Sequence, residues 1–100
     1  MKLVWSRPAQ QDLEAILGFI AQDSPRDVLR FCGAIEERVG ALASAPGIGR
    51  PGRVSGTREL VLAGTPYLVP YRVKDDRIEI LAVFHGARKW PERFDEEPQG

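Results

Sequence analysis

The amino-acid sequence predicts an α+β fold in the order β-α-α-β-β-β, a helical hairpin packed on a small, mostly antiparallel sheet. Apolar residues at helical spacing fill residues 8–42, and β-prone segments fill much of residues 58–85. The 100 residues are 43% hydrophobic and 28% charged, which is enough apolar material for one packed core. We therefore expect one domain over residues 1–93, followed by an acidic tail at 94–100 that frays.

The first half of the chain predicts a short strand and then two helices. Lys2–Trp5 is apolar and β-prone, and Ser6 is a candidate N-cap for a helix over about residues 8–22. The apolar residues of this helix share one face: Leu13, Ile16, Leu17 and Ile20. Ser24 and Pro25 begin the second helix. Its apolar stripe is Val28, Cys32, Ile35, Val39 and Leu42. Two helices with so short a link form an antiparallel hairpin.

The second half predicts a loop and three strands. Residues 45–56 hold four glycines and two prolines, so we expect no regular element there. Strands are predicted after this loop over residues 58–62, 67–73 and 77–85. Pro70 cannot donate to a ladder, so it requires an outward-facing nitrogen or a bulge. The apolar run Ile80–Phe84 predicts a central strand covered on both faces. The first strand joins this sheet internally or at its far edge.

Composition excludes several classes of protein. Lys and Arg number 14 and Asp and Glu number 14, with a pI near 6.6, which argues against a general polyanion-binding protein. The single cysteine, Cys32, cannot form an internal disulfide, which favours a reducing, cytoplasmic setting. One histidine and one cysteine exclude a His/Cys zinc site within the chain. We expect no metal, no cofactor and no membrane span.

The charges are distributed unevenly along this neutral chain. Residues 1–49 hold five basic and six acidic residues, and residues 50–93 hold nine basic and five acidic residues. Residues 94–100 add three acidic residues, whose charge would partly neutralise the basic sheet half. We interpret the sheet half as a face for an anionic partner. The alternative is an ordinary solvated surface.

His85 is the one side chain whose ordinary pKa lies near neutrality, and it ends a predicted strand before a glycine turn. Arg88 follows three residues later, and Arg58 opens an earlier strand that could converge with them. Such a cluster could cleave RNA by moving the 2′-hydroxyl proton and stabilising the phosphorane charge. The alternative for His85 is a structural role at the strand end. Trp5 and Trp90 could stack a base, but are more typical of residues that close a small core.

Five segments form a series of motifs along the chain. They are A-x-x-D-L-x-x-I-x-x-F-I at 9–20, A-L-A-S-A-P-G-I-G-R-P at 41–51, G-T-R-E-L at 56–60, P-Y-L-V-P-Y-R-V at 66–73 and I-x-I-L-A-V-F-H-G-A-R-K-W at 78–90. The series resembles the ParE/RelE superfamily of toxins from bacterial type II toxin–antitoxin systems, in particular its ParE-like branch. This resemblance implies the fold predicted above, and an antitoxin whose acidic C-terminal segment wraps the toxin.

The resemblance implies one of two activities. RelE-like members cleave messenger RNA on the ribosome, whereas ParE-like members inhibit DNA gyrase. Arg58 and Arg88 match basic positions of the family, and His85 fits the H-G-x-R sequence of the ParE-like branch. The C-terminal tyrosine of many nucleases is absent, Trp90 or Phe94 being the nearest aromatic residue. These departures favour gyrase inhibition by binding, without catalysis.

Two alternatives remain open from the sequence. One is a ribosome-dependent endoribonuclease with Arg58, His85 and Arg88 as its catalytic candidates. The other is an inactive remnant that only binds antitoxin. Direct contact with nucleic acid is expected only through the antitoxin or, in the nuclease alternative, with ribosome-bound mRNA. The residues expected to contact the target or the antitoxin are Arg50, Arg53, Arg58, Arg72, Arg88, Lys89 and Trp90.

Overall fold

The computed structural model describes residues 1–87 and residue 94. Its elements are β1 (Lys2–Trp5), α1 (Arg7–Asp23), α2 (Pro25–Ala41), β2 (Arg50–Pro51), β3 (Arg58–Val61), β4 (Tyr67–Lys74), β5 (Arg77–Ile80) and β6 (Phe84–His85). The sheet has the order β1-β5-β4-β3-β2, and β6 also pairs with β4. Strand β1 lies at the edge, parallel to β5, whereas the other pairs among the described strands are antiparallel. The predicted fold class is confirmed.

Both helices begin at the residues that the sequence indicates. The Ser6 hydroxyl accepts a hydrogen bond from the Ala9 N–H at 3.1 Å, and the Ser24 hydroxyl accepts one from the Asp27 N–H at 3.3 Å. These bonds satisfy amide groups that the first helical turn leaves without an intrahelical partner. Ser24 alone separates α1 from α2, so the chain reverses at once into the predicted hairpin.

The apolar faces of the helices pack against one face of the sheet. The helical contributions to this core are Ala9, Phe31, Ile35 and Val39, and the strand contributions include Leu60, Val69, Tyr71, Ile78 and Ile80. Full burial of each large side chain contributes about 1.5–3 kcal/mol. Because side chains alternate along a strand, the residues between these core positions lie on the opposite face of the sheet.

The predicted continuous strand over residues 77–85 is wrong in its middle, since β5 ends at Ile80 and β6 begins at Phe84. The break lies opposite Pro70 of β4. The Pro70 carbonyl accepts the Leu81 N–H at 2.9 Å. In an antiparallel ladder the N–H and C=O of a residue point to the same neighbour, so Pro70 cannot return this bond. The irregularity expected at Pro70 therefore falls in the strand that faces it.

The N-terminal part of α1 satisfies the backbone where this ladder stops. The Ser6 N–H donates to the Ile80 carbonyl at 3.0 Å, and the Ser6 hydroxyl donates to the Leu81 carbonyl at 3.3 Å. The Asp12 carboxylate accepts the Val83 N–H at 3.0 Å. Buried backbone groups of the break thus have partners outside the sheet, which allows this apolar segment to remain buried.

Removing the Asp12 carboxylate is expected to destabilise this break. Asp12→Ala leaves the Val83 N–H without its acceptor, and we expect the free energy of unfolding to fall by about 1–3 kcal/mol. Asp12→Asn retains an amide oxygen and should lose less. Urea unfolding measures both variants, with Glu14→Ala on the exposed side of α1 as the control, expected to lie within about 0.5 kcal/mol of the parent. Equal losses in Asp12→Ala and Glu14→Ala would contradict this role.

The predicted loop over residues 45–56 is corrected at Arg50–Pro51, which forms β2 and pairs with Arg58 and Glu59. Tyr71 holds the preceding turn from the core side. Its hydroxyl donates to the Pro46 carbonyl at 2.7 Å and accepts the Gly49 N–H at 2.9 Å. A Cβ at position 49 would lie 2.6 Å from that hydroxyl, so the turn requires glycine.

Neither helix in the described part of the chain is long and apolar enough to cross a lipid bilayer. The predicted boundary at residue 93 falls outside the described residues, and so does the predicted tail at 94–100 apart from its first residue. Phe94, which the sequence places at the head of the tail, is described, and its ring stacks on Phe84.

Candidate protein-binding face

The sheet face that points away from the helices carries a concentration of basic side chains. Strand register places three arginines there, because paired residues lie on the same face of a sheet. Arg50 is paired with Glu59, Arg72 with Glu79, and Arg77 with Lys74. Arg53 joins them through its contacts with Glu59. We define the basic face as Lys2, Arg50, Arg53, Glu59, Arg72, Lys74, Arg77 and Glu79. Six basic and two acidic residues give it a net charge of +4.

Glu59 is the centre of the first charge cluster on this face, with a side chain only 1% exposed. Arg50 donates to its Oε1 from Nη2 at 3.1 Å and from Nε at 3.3 Å. The Arg53 backbone N–H donates to Oε2 at 2.7 Å, and Arg53 Nε lies 3.8 Å from the same oxygen. The two arginine side chains remain 53% and 44% exposed. A buried carboxylate thus positions two accessible guanidinium groups.

Glu79 is the centre of the second cluster, with a side chain that is 0% exposed. Arg72 Nε donates to Oε1 at 2.6 Å, and Arg77 donates to Oε2 from Nε at 2.9 Å, with Nη2 at 2.7 Å. Burial by itself would raise the pKa of Glu79, but the hydrogen bonds and positive charges of Arg72 and Arg77 outweigh it and hold the pKa below its ordinary value. Glu79 therefore remains ionised at neutral pH.

In both clusters one buried carboxylate binds two guanidinium groups. The carboxylates hold the guanidinium groups in place, which reduces the conformational entropy lost when a partner binds them. Guanidinium groups in this setting bind carboxylates of an acidic protein segment well. Within residues 1–87 and 94, no three metal-ligating side chains form a group that could hold an ion.

Arg58 lies on the other face of the sheet and contacts the turn before β2. Its Nη1 donates to the Gly49 carbonyl at 2.8 Å and to the Gly47 carbonyl at 3.4 Å. These bonds give Arg58 a structural role in the turn that leads into β2. The predicted contact between Arg58 and a partner therefore lies apart from the basic face.

His85 is exposed and contributes to the turn after β6. Its Nδ1 accepts the Ala87 N–H at 3.1 Å, and its ring meets the edge of Tyr67 with centroids 5.6 Å apart. Tyr67 in turn contacts Phe31 of α2 edge to face at 5.3 Å. This arrangement corresponds to the structural alternative that the sequence left open for His85.

The structure does not bring Arg58 and His85 together, although the sequence allowed them to converge. Arg58 is paired with Tyr71, and His85 is paired with Tyr67. These partners are four residues apart on β4, which corresponds to about 13 Å, and β3 and β6 lie on opposite sides of β4. The backbone positions of Arg58 and His85 are therefore well separated, and the Arg58 guanidinium group donates to carbonyls of the turn before β2.

Three of the predicted binding residues, Arg50, Arg53 and Arg72, meet on the basic face. Arg88, Lys89 and Trp90 lie outside the described residues, so their predicted contacts stay predictions. Sequence reasoning missed the remaining members of the face: Lys2, Glu59, Lys74, Arg77 and Glu79. The alternation of polar and apolar residues along β4 and β5 carried a signal for the last three.

Comparison with known proteins gives matches along almost the whole chain. The family model described as "ParE toxin of type II toxin-antitoxin system, parDE" matches residues 3–90. "Putative toxin Y4kP" of Sinorhizobium fredii is 43% identical over 91 residues, which cover 91% of this chain and 94% of that protein. "Toxin RelE2" of Caulobacter vibrioides is 34% identical over 87 residues, which cover 87% of this chain and 97% of that protein.

Two solved structures from toxin–antitoxin systems have a fold similar to that of this chain. A chain of the chromosomal ParDE toxin–antitoxin system from P. aeruginosa superposes with a TM-score of 0.73 and 36% identity, covering 85% of this chain and 95% of that one. A chain of the RelBE2 toxin–antitoxin complex from Mycobacterium tuberculosis superposes with a TM-score of 0.58 and 27% identity, covering 84% and 95%.

Proposed function

The chain belongs to the ParE toxin family of type II toxin–antitoxin systems, as the sequence motifs indicated, and on that premise we propose that it inhibits DNA gyrase by binding it. The proposal includes a cognate antitoxin that neutralises the toxin. A ParDE system and a RelBE2 toxin–antitoxin complex are among the similar solved structures, which supports a partner of this kind.

The separation of Arg58 from His85 is the observation that carries the choice of gyrase over RNA. General acid–base catalysis requires each group to lie within hydrogen-bonding reach of the atom whose proton it moves, directly or through one water, and in RNA cleavage both atoms belong to one phosphodiester. Arg58 and His85 are paired with β4 residues four positions apart, and Arg58 is hydrogen-bonded to turn carbonyls. A toxin that acts by binding requires no such convergence.

The basic face supports the antitoxin part of the proposal. Arg50 and Arg53 present half-exposed guanidinium groups whose positions are set by the buried Glu59 carboxylate, whereas the Arg72 side chain is only 16% exposed. An acidic antitoxin segment would find there a surface of opposite charge, which favours rapid and specific association. We extend the same role to Arg88, Lys89 and Trp90, and to Arg58 at the neighbouring turn.

A ribosome-dependent endoribonuclease is the second candidate. Its support is the likeness to a relative named Toxin RelE2 and to the RelBE2 complex. The catalytic candidates for this activity are Arg58, His85 and Arg88, of which Arg58 is hydrogen-bonded to turn carbonyls. It predicts mRNA cuts in a translating extract that disappear in His85→Ala and in Arg88→Ala.

A supercoiling assay tests the proposal directly. Toxin separated from its antitoxin is added in increasing amounts to DNA gyrase and relaxed plasmid. We expect supercoiling to be inhibited, to recover when antitoxin is added first, and to be inhibited equally by His85→Ala. Full supercoiling at excess toxin, together with mRNA cuts that depend on His85, would transfer the assignment to the endoribonuclease. A toxin inactive in both assays and harmless on overexpression would indicate an antitoxin-binding remnant.

A further inference from the structure

Strand β1 forms one edge of the sheet, and its outer side has no neighbour among the described strands. The opposite edge, β2, has only two residues, and Pro51 has no N–H to donate. An open edge presents unpaired N–H and C=O groups to any extended chain. We propose that β1 pairs with β1 of a second copy of this chain, so that the free toxin forms a two-fold symmetric dimer. The proposal concerns the toxin alone and holds whichever target it has.

The register of β1 shows which of its backbone groups point outward. Trp5 is paired with Ile80 in a parallel ladder, and the Ser6 N–H donates to the Ile80 carbonyl at 3.0 Å. In such a ladder, alternate residues direct both their N–H and their C=O to the same neighbour. Ser6 and, two residues earlier, Val4 therefore face β5. Leu3 and Trp5 direct their backbone groups away from it, to the open side.

The open side of β1 is accessible and apolar. The Trp5 carbonyl accepts only the exposed Gln10 side chain, at 3.4 Å, and a carbonyl oxygen can accept a second hydrogen bond. The side chains of Leu3 and Trp5 are partly buried against the core. They line an open cavity of about 240 Å³ with four residues of α2, namely Ile35, Glu36, Val39 and Gly40. A strand added to β1 would cover this cavity.

The sequence of β1 is complementary to itself in an antiparallel register. With Leu3 opposite Trp5 of the second copy, the outward groups of both residues meet, and each residue can donate and accept one hydrogen bond. Val4 then lies opposite Val4 of the second copy, at the two-fold axis. Lys2 is the one charged residue of the strand, and it lies opposite Ser6. Apolar residues therefore face apolar residues, and no like charges meet.

Charges placed at the two-fold axis test the dimer. We expect the full chain, separated from antitoxin, to dimerise with a dissociation constant on the order of 10–100 μM, as is typical of a small interface. Val4→Lys and Val4→Glu each bring like charges together at Cα atoms about 4.5 Å apart. Each should weaken the dimer at least about tenfold. An equimolar mixture of the two variants should form a heterodimer, which also shows that both are folded. Sedimentation velocity measures all four samples.

Val61→Lys is the matched control. Val61 is a strand valine on β3, 40% exposed and away from the β1 edge, so the variant adds the same charge elsewhere on the sheet. It should dimerise like the parent. Equal losses in Val4→Lys and Val61→Lys would show that net charge, and not the position of the charge, weakens association.

Amide hydrogen exchange locates the pairing by residue. The amides of Leu3 and Trp5 should exchange about tenfold more slowly in the dimer than in dilute protein, because they acquire acceptors there. The Ser6 amide, which donates to Ile80, should exchange alike in both. Four results would each overturn the proposal: a parent that stays monomeric above the expected dissociation constant, equal losses in Val4→Lys and Val61→Lys, a mixture without heterodimer, or stronger association of Val4→Glu.

Discussion

Glu79→Ala is expected to lower the free energy of unfolding by about 3–5 kcal/mol, because it removes the buried carboxylate that accepts hydrogen bonds from Arg72 and Arg77. Arg72 and Arg77 then lose the carboxylate to which both of them donate. Domains of this size are stable by about 5–15 kcal/mol, so the variant should unfold at a clearly lower temperature and in milder urea than the parent. Glu79→Gln keeps the shape and one acceptor oxygen and should lose less.

The same variants should show a pH-dependent difference from the parent. The pKa of Glu79 lies below its ordinary value of 4.5, since Arg72 and Arg77 favour the ionised form. Its contribution to stability is therefore complete above about pH 4.5 and is lost as the pH falls through the lower pKa of the folded protein. Parent and Glu79→Gln should differ most near pH 7 and converge in acid.

Urea unfolding at several pH values between 3 and 7 measures this effect. Glu37→Gln removes the same charge from the exposed side of α2 and should stay within about 0.5 kcal/mol of the parent at neutral pH. A difference between parent and Glu79→Gln that grows toward acid would contradict a lowered pKa of Glu79 in the folded protein. A neutral-pH loss no larger than that of Glu37→Gln would contradict the role of the cluster.

Tyr71→Phe is expected to lower the free energy of unfolding by about 2–4 kcal/mol, although it removes a single oxygen atom. The hydroxyl donates a hydrogen bond to the Pro46 carbonyl and accepts one from the Gly49 N–H, and the substitution removes both bonds. The turn that leads into Arg50 should then loosen. On the proposed role of the basic face, binding of antitoxin should weaken together with stability, since Arg50 belongs to that face.

Gly49→Ala tests the same contact from the other side. The added Cβ would lie 2.6 Å from Cε1 and Oη of Tyr71, whose ring is fixed in the core, so we expect a loss of about 1–3 kcal/mol. Tyr67→Phe removes a hydroxyl from the same strand, at a ring that packs on Phe31 and His85, and should lie within about 0.5 kcal/mol of the parent. Urea unfolding compares the three. Similar losses in Tyr71→Phe and Tyr67→Phe would contradict the role of the Tyr71 hydroxyl.

The helical half shows how much short-range signals determine. Ser6 and Ser24 accept hydrogen bonds from amides three residues later, and the apolar spacing decides which helix face meets the sheet. The residues that begin a helix lie within one helical turn of each other in the sequence. The predicted helix over 8–22 therefore differs from the observed Arg7–Asp23 by only one residue at each end. The motif series likewise lies in the sequence itself, and the family assignment it indicated is confirmed.

The sheet half shows where such signals end. Strand β2 exists only because β3 pairs with it, and β5 stops at Ile80 because Pro70 on a different strand cannot donate. The sequence allowed Arg58 and His85 to contribute to one site, yet the register pairs them with β4 residues four positions apart. The meeting of Arg50, Arg53 and Arg72 around two carboxylates depends on the same register.

The sequence by itself therefore determined the fold class, the helix starts, the family and the excess of basic charge in the second half. Only the tertiary structure decided which arginines share a face, which of them serve a turn, and that Glu59 and Glu79 hold them. The physical reason is that helix signals act between residues three or four apart, whereas a strand side chain acquires its face and its neighbours from a partner strand distant in the chain.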